Sequence, residues 1–259
     1  MKAVKTLALA LLLFSFPYHS DAQILENMES ELGSAGSDGG GNDLWWLDLL
    51  LNVGFEPIYG VMFGFPNEYQ LGLADYSPYP YFDGFSGNFM HIEDEGRGFQ
   101  GQFYSHFQNN ENTLSGGYFQ LKLSPARFIT LDVNHLRLFE RRAVDNQKDQ
   151  MSITNFNVHY NRVRHHKFHM WWGSGLMLLD RNTLYGSPTL TTGMDIFIKR
   201  PLSIHAEIQL GAPNGNITSL SQIRMQAHLE RFLISAGFSG LQVGNEFEGS
   251  WSIGTGIYF

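Results

Sequence analysis

Strict alternation of apolar and polar residues constrains this chain more than any other feature. The clearest example is the segment 202–211, in which five apolar residues alternate with five more polar ones. The apolar residues are Leu202, Ile204, Ala206, Ile208 and Leu210. Successive side chains of a β-strand point to opposite faces, so this segment has one apolar and one polar face. Segments 99–108 and 222–230 alternate in the same way, and the chain is predicted to be all-β.

The alternation predicts eleven strands, most of them ten residues or longer. They cover residues 85–93, 97–108, 112–123, 127–140, 150–163, 167–179, 190–200, 202–211, 217–230, 232–244 and 248–259. Strands in soluble proteins usually have about five or six residues. A tilted strand that crosses a bilayer needs about nine to eleven. Strand length therefore favours a membrane-spanning sheet.

The predicted connections alternate between tight and loose along the chain. The tight ones are residues 93–98, 124–126, 164–166, 200–201 and 231, and the looser ones are 109–111, 141–149, 180–189, 212–216 and 245–247. Outer-membrane barrels have short periplasmic turns and longer outer loops, whereas a soluble meander has no reason to sort its turns in this way. The connections thus indicate an up-and-down barrel with its tight turns in the periplasm.

Both chain ends are predicted to lie in the periplasm, and the number of strands must then be even. A twelfth strand is therefore predicted near residues 53–65, followed by an outer loop over 66–84, and a barrel of ten strands is the alternative. Residues 44–51 fit a short interfacial helix, an extension of the first strand or a plug segment in the lumen.

The N-terminus has the order of charged, apolar and small residues that is typical of a secretory signal peptide. Lys2 and Lys5 precede the apolar run 7–16, and Ala22 ends the segment. The run is about half as long as a membrane-spanning helix requires. Residues 1–22 are therefore predicted to be a signal peptide, 23–43 a flexible Gly/Ser-rich periplasmic leader and 44–259 one barrel domain.

The last strand also alternates, with Trp251, Ile253, Ile257 and Phe259 on its apolar face. It resembles the terminal signal of Gram-negative outer-membrane β-barrel proteins, which ends in an aromatic residue and is recognised by the barrel-insertion machinery. The resemblance covers about the last ten residues in detail and the strand pattern in general. It implies a transmembrane antiparallel barrel in the outer membrane that contacts membrane lipid and the insertion machinery. It identifies no narrower family and no functional residue.

Composition excludes several other classes. The chain has no cysteine, so we expect no disulfide, no thiolate metal site and no lipid-modified N-terminal cysteine. Its formal net charge of −8 argues against a nucleic-acid partner, because phosphate contacts need concentrated Lys and Arg. No cofactor and no metal are expected.

Three neighbouring strands are predicted to direct ionisable side chains toward one interior. These residues are Asp195, Lys199, His205, Glu207, Arg224, His228 and Glu230. They form either a lumen charge ladder whose opposite charges close a narrow barrel, or a constriction that selects a small solute by charge. Closure is favoured because a barrel of ten to twelve strands has limited interior room.

Aromatic residues near the predicted tight turns fit a membrane-interface girdle, and ordinary strand core is the alternative for each tryptophan. These residues are Phe128, Trp171, Trp172 and Phe232. A histidine cluster lies near one of these turns and consists of His159, His165, His166 and His169. We favour turn residues over metal ligands there, because His165 and His166 point apart on a strand and the sequence places no acid beside them.

Signals for catalysis are weak. Ser203, His205 and Glu207 share one strand face but stand about 7 Å apart, too far for a hydrogen bond without help from a neighbouring strand. His91 lies beside Glu93 and Asp94 at a predicted periplasmic turn. The leading hypothesis is a non-enzymatic barrel that acts as a narrow channel or as a structural or accessory subunit of an envelope complex. The alternative is an outer-membrane hydrolase acting on lipid or peptide.

Overall fold

The computed structural model describes residues 25–28, 30, 75–85, 87–90, 99–110, 114–141 and 148–259. In these ranges no helix is long and apolar enough to cross a membrane. Ten antiparallel strands form a closed barrel, and two further strands form a separate sheet that is not part of the ring.

The separate sheet consists of β1 (Asp75–Tyr76) and β2 (Phe89–Met90). The barrel consists of β3 (Gln100–Asn109), β4 (Leu114–Ala126), β5 (Ile129–Arg141), β6 (Lys148–His165), β7 (Phe168–Asp180), β8 (Leu184–Lys199), β9 (Leu202–Gly211), β10 (Thr218–Leu229), β11 (Phe232–Val243) and β12 (Glu246–Tyr258). Each strand pairs with the next, and β12 pairs with β3 to close the ring.

The strand count is ten, which confirms the alternative and not the twelve-strand prediction. The strand predicted over 85–93 is not a barrel strand, because Phe89 and Met90 pair with Tyr76 and Asp75 in the separate sheet. Residues 44–51 and the strand predicted near 53–65 lie outside the described residues. Because ten is also an even number, the first barrel strand begins at the same end of the barrel at which the last strand ends.

The barrel has an apolar exterior and a polar interior. Trp251 and Ile253 point outward with 61% and 63% of their surface exposed, whereas Asn155 and Gln209 point inward with 0% exposed. The predicted C-terminal signal residues, Trp251, Ile253, Ile257 and Phe259, all lie on the exposed face. In water this exterior would cost about 25 cal/mol for each Å² of apolar surface, a cost that lipid removes. The alternation predicted from sequence is thus present with its apolar side facing the membrane.

The two ends of the barrel differ in the length of their connections. At one end, residues 127–128, 166–167, 200–201 and 230–231 join the strands, and Phe259 lies at this tight-turn end. At the other, long-loop end the connections are 110–113, 142–147, 181–183, 212–217 and 244–245. The predicted alternation of tight and loose connections is therefore present, although the connection 244–245 is as short as the tight turns.

The connection predicted over 180–189 is shorter than expected, because β8 begins at Leu184. Ser187 and Thr189 continue the buried face of the strand, and the intervening Pro188 points outward without ending it.

Segments that precede the barrel strands occupy both ends. Tyr76, Tyr81 and Phe89 are buried at the tight-turn end, although residues 66–84 were predicted to form an outer loop. At the long-loop end, residues 25–28 form a helical turn whose Leu25 and Met28 have 0% of their surface exposed. These four residues belong to the predicted leader, yet they lie at the end opposite Phe259. The other leader residues, apart from Ser30, lie outside the described ranges.

We expect Gly175→Ala to lower the free energy of unfolding by about 1–3 kcal/mol, a typical cost of overpacking. A methyl group at this position would overlap the backbone oxygen of Phe156 on the paired strand β6. Gly186→Ala is the matched control on β8, where the new methyl meets Leu178 at an ordinary 3.5 Å. Guanidinium unfolding in detergent micelles measures both variants, and equal stability of the two would contradict this packing.

Candidate functional site in the barrel lumen

An ion-pair network crosses the lumen in its polar middle region. The Nζ atom of Lys122 lies 3.0 Å from Glu207 Oε2 and 3.7 Å from Asp132 Oδ2. Lys122 is on β4 and Glu207 is on β9, five places apart in the ring of ten. The pair therefore joins opposite walls of the barrel. We call Lys122, Asp132, Asp195, His205 and Glu207 the lumen belt.

Asp195 on β8 connects its own strand to the two neighbouring strands β7 and β9. Its Oδ1 lies 2.7 Å from His205 Nδ1 on β9, and its Oδ2 lies 3.3 Å from His169 Nδ1 on β7. His205 Nε2 is in turn 3.8 Å from Glu207 Oε2. One carboxylate thus fixes the orientation of two imidazoles.

Amide side chains extend the network around the carboxylates. Gln209 Nε2 donates to Glu207 Oε1 at 2.6 Å, and Asn155 Nδ2 donates to Gln209 Oε1 at 2.7 Å. Gln120 Nε2 donates to Asp132 Oδ2 at 2.7 Å. Buried charges are costly unless they are paired and hydrogen-bonded, and these amides supply the additional bonds.

Little free space remains beside the lumen belt. The cavity between the belt and the tight-turn end has a volume of about 40 Å³ and is lined by Lys122, Trp171, His205 and Arg224 among others. Since one water needs about 10–15 Å³ of such space, the cavity holds about three waters. Among the described residues, a cavity of this size is too small for a hydrated solute.

Trp171 belongs to the lumen and not to the membrane girdle. Only 2% of its surface is exposed, and Lys122 Nζ lies 4.6 Å from the centroid of its ring. Trp172 points outward, where its ring lies 5.9 Å from that of Tyr160. The prediction that placed both tryptophans in one girdle was wrong, because adjacent strand residues face opposite sides.

Glycines on neighbouring strands make room for the large lumen side chains. A methyl group on Gly193 would overlap the ring of Trp171, its partner across the β7–β8 pair. A methyl group on Gly173 would similarly meet His159 across the β6–β7 pair. The same relation joins Gly237 to Arg224, Gly254 to His106 and Gly116 to Leu138. Each of these large side chains thus lies opposite a glycine on the adjacent strand, where no side chain competes for the space.

Five of the seven residues predicted for the charge ladder line the lumen, namely Asp195, His205, Glu207, Arg224 and His228. Lys199 is exposed at the tight-turn end, because the register of the β8–β9 pair shifts between Phe197 and Lys199. Glu230 is exposed in a turn, with a φ of 54°. A shift in register reverses the face of every later residue, so alternation alone could not place Lys199.

The prediction missed Lys122 and Asp132. Both follow the alternation that revealed the other residues, since Lys122 lies between Leu121 and Leu123, and Asp132 between Leu131 and Val133. Their membership in the network could have been inferred from that pattern, but their pairing with each other and with Glu207 could not.

Ser203 has a histidine partner, but this partner is His228 on the neighbouring strand and not His205 on its own strand. Its Oγ lies 2.8 Å from Nε2 of His228 on β10, the neighbouring strand. In the described part of the chain, His228 Nδ1 has no hydrogen-bond partner, so this pair lacks the acid that would orient a catalytic histidine. Ser203 also has 0% of its surface exposed. His91, Glu93 and Asp94 lie outside the described residues.

The histidine cluster divides between turn and lumen. The rings of His165 and His166 lie 4.0 Å apart at the turn, whereas His159 and His169 point inward. The expectation that no acid lies beside them was wrong for the inward pair, which lies near Asp132 and Asp195 across the strands. Within the described ranges, no group of three or more His, Asp or Glu residues is arranged to hold a metal ion.

The tight-turn end is covered by residues 75–85 and 87–90, which we call the mouth hairpin. Tyr76 Oη lies 3.2 Å from Thr130 Oγ1 and accepts a hydrogen bond from Asn161 Nδ2 at 2.6 Å. Asn88 and Gln100 form a reciprocal amide pair with distances of 3.0 and 2.8 Å. The hairpin is thus attached to strands β3, β5 and β6.

Tyr81 holds the hairpin to the opposite side of the same mouth, and Asp75 adds an ion pair on the side of β4 and β5. Tyr81 Oη donates to the backbone oxygen of Leu202 at 2.5 Å, and burial raises the pKa of Tyr81 to about 12. The hydroxyl therefore keeps its proton at neutral pH and continues to donate. Asp75 Oδ1 lies 3.2 Å from Arg127 Nη1 in the β4–β5 turn. The hairpin contacts the rim from several directions.

These features define the class of the protein: a closed antiparallel barrel with an apolar exterior has the fold of outer-membrane β-barrel proteins. No protein-family model and no curated protein matches the chain.

The chain is similar in structure to the N-terminal β-barrel domain of Pseudomonas aeruginosa OprF, with a TM-score of 0.31 and 11% identity over 62% of this chain and 97% of that one. It is also similar to an outer membrane channel from Pseudomonas putida F1, with a TM-score of 0.38 and 8% identity over 62% of this chain and 95% of that one.

We expect Lys122→Met to lower the free energy of unfolding by about 3–5 kcal/mol, because it leaves two buried carboxylates without their shared cation. Lys199→Met is the matched control and should change stability by no more than about 0.5 kcal/mol, since Lys199 is exposed. Urea unfolding in lipid vesicles measures both. Adding Glu207→Gln and Asp132→Asn to Lys122→Met should recover stability, and a Lys122→Met variant as stable as the wild type would refute the network's role.

Proposed function

We propose that this protein is an outer-membrane β-barrel that forms a narrow channel, held closed in the described state by its mouth hairpin. The observation that carries the proposal is the attachment of the hairpin to several strands around one end of the barrel. Behind the hairpin lie the small cavity and the ion pairs of the lumen belt. A solute would therefore meet a plug first and a charged constriction second.

The exterior supports the membrane assignment, and the connections support an orientation. Short turns are on the periplasmic side of outer-membrane barrels, so the mouth hairpin would face the periplasm. Tyr160 contacts both Phe128 and Trp172 on the exterior near this end. Aromatic residues of this kind mark a membrane interface.

The hairpin is held by weaker interactions than the barrel. Its own ladder joins only β1 and β2, which have two residues each. Among the described residues, its attachments to the barrel are side-chain hydrogen bonds, the ion pair of Asp75 with Arg127, and ring contacts of Tyr81 and Phe89 with lumen side chains. A typical hydrogen bond contributes about 0.5–1.5 kcal/mol. The barrel strands are joined by continuous ladders on both sides. Release of the hairpin would break these contacts and leave the barrel ladders intact.

Conductance in planar bilayers tests the proposal. Wild type should insert with few or no openings, whereas Tyr76→Phe combined with Gln100→Leu should open reproducibly. The first change removes the hydroxyl bonds to Thr130 and Asn161, and the second removes the bonds of Gln100 to Asn88 and Ser77. Asp83→Asn, an exposed change in the same hairpin, is the control and should behave as wild type. A double variant that inserts and stays silent would exclude the plugged channel.

A structural or accessory subunit of an envelope complex is the second candidate. It is favoured by the ion pair that spans the full width of the lumen and by the cavity of about 40 Å³. A barrel filled in this way needs no open state. Silent double variants, together with partner proteins that co-purify in mild detergent, would support this function.

Orientation is tested by single cysteines, since the natural chain has none. A membrane-impermeant maleimide should label Thr183→Cys on intact cells, because this residue is exposed in a connection at the long-loop end. Arg231→Cys, in a tight turn, should be labelled only after the outer membrane is permeabilised. The reverse labelling pattern would invert the proposed orientation.

A further inference from the structure

The interior at the long-loop end is apolar, unlike the polar lumen that outer-membrane barrels usually have. We call this region the apolar cup. Its lining includes Leu136, Leu138, Met151, Ile153, Met177 and Leu179, and all of these are buried in one cluster. An apolar cup that opened to water would be unfavourable, so the region requires an apolar occupant.

Residues 25–28 supply that occupant in the described state. Leu25 and Met28 belong to the same buried cluster and have 0% of their surface exposed, while Glu26 between them is exposed. Residues three apart lie on one face of a helical turn, so both apolar side chains point into the cup together.

The barrel also binds the backbone of this segment. The backbone N–H of Leu25 donates to Glu140 Oε2 at 3.0 Å, and its backbone oxygen accepts a hydrogen bond from Arg181. Arg181 is held in place by Asp149, whose Oδ2 lies 3.2 Å from Arg181 Nη2. Glu140 is 1% exposed. An acceptor and a donor placed beside an apolar pocket can recognise a peptide with two apolar anchors.

The sequence after the segment has the composition of a tether. Residues 33–41 consist of Gly, Ser, Ala and a single Asp. This composition is typical of linkers, and a short helical segment does not persist in water without tertiary contacts. The segment is therefore comparable to a ligand that a linker keeps at a high effective concentration.

We infer that the long-loop mouth is a binding site for a short amphipathic peptide with two apolar residues spaced three apart. Residues 25–28 of this chain occupy the site as its tethered ligand, and a second peptide of the same chemistry replaces them when they are released. The inference concerns the opposite mouth from the hairpin and does not depend on whether the lumen conducts.

The test uses the full-length protein and a fluorescent peptide with the sequence of residues 23–32. Leu25→Asp combined with Met28→Asp disables the tethered ligand, because carboxylates are excluded from the apolar cup. Fluorescence anisotropy should show this variant binding the peptide about 100-fold more tightly than wild type does, since the tethered competitor is gone. Ser30→Asp adds a charge at an exposed position of the same segment and should bind as weakly as wild type.

Further variants identify the site of binding. Added to the double variant, Glu140→Met should weaken peptide binding about tenfold, the loss expected from a buried hydrogen bond to a charged group. Arg181→Met should act in the same direction by removing the donor to the backbone oxygen. Heat-dependent mobility on gels verifies that each variant is folded.

Equal binding to wild type and to the double variant would place the peptide elsewhere and overturn the inference. A folded double variant that binds no peptide would overturn it as well. If that variant binds a fluorescent fatty acid but not the peptide, the cup takes an acyl chain and the peptide assignment is wrong. None of these outcomes concerns conductance, so failure of the peptide-binding inference can be distinguished from failure of the channel proposal.

Discussion

Closure of the hydrogen-bonded ring is the constraint on which the rest of this structure depends. In lipid an unpaired backbone N–H or C=O is too costly to persist, so the first and last barrel strands must pair. They do so up to the final residue, where the amides of Gly101 and Phe259 exchange hydrogen bonds of 2.8 and 2.9 Å. Closure at ten strands sets the width of the lumen and places the C-terminus at the tight-turn end.

The narrow lumen explains the chemistry of its walls. A Lys on β4 can reach a Glu on β9 only because opposite walls are close, and the same proximity makes large side chains compete for space. Glycine partners relieve this competition at Trp171 and His159. The lumen belt is thus a consequence of ring size, and any passage of solute would require these ion pairs to rearrange.

The chain before the barrel contributes to both ends of that lumen. At the tight-turn end the contacts combine hydrogen bonds to polar strand residues with ring contacts to lumen side chains. At the long-loop end Leu25 and Met28 enter the apolar cup, and Glu140 and Arg181 bind the backbone of Leu25. The lining of the barrel differs as well, since most strand residues of the buried apolar cluster lie toward the long-loop end. The two mouths therefore differ in the kind of molecule that can occupy them.

The sequence by itself determined the approximate positions of the ten barrel strands, the alternation of their faces and the position of Asp195, His205 and Glu207 in the interior, because the pleat of a strand is a local property. Only the tertiary structure decided that the ring has ten strands, that residues 89–90 leave it for the mouth hairpin and that Lys122 pairs with Glu207. It also decided that a shift in register exposes Lys199. These outcomes depend on which distant strands meet and in what register, and alternation along a single strand carries no information about either.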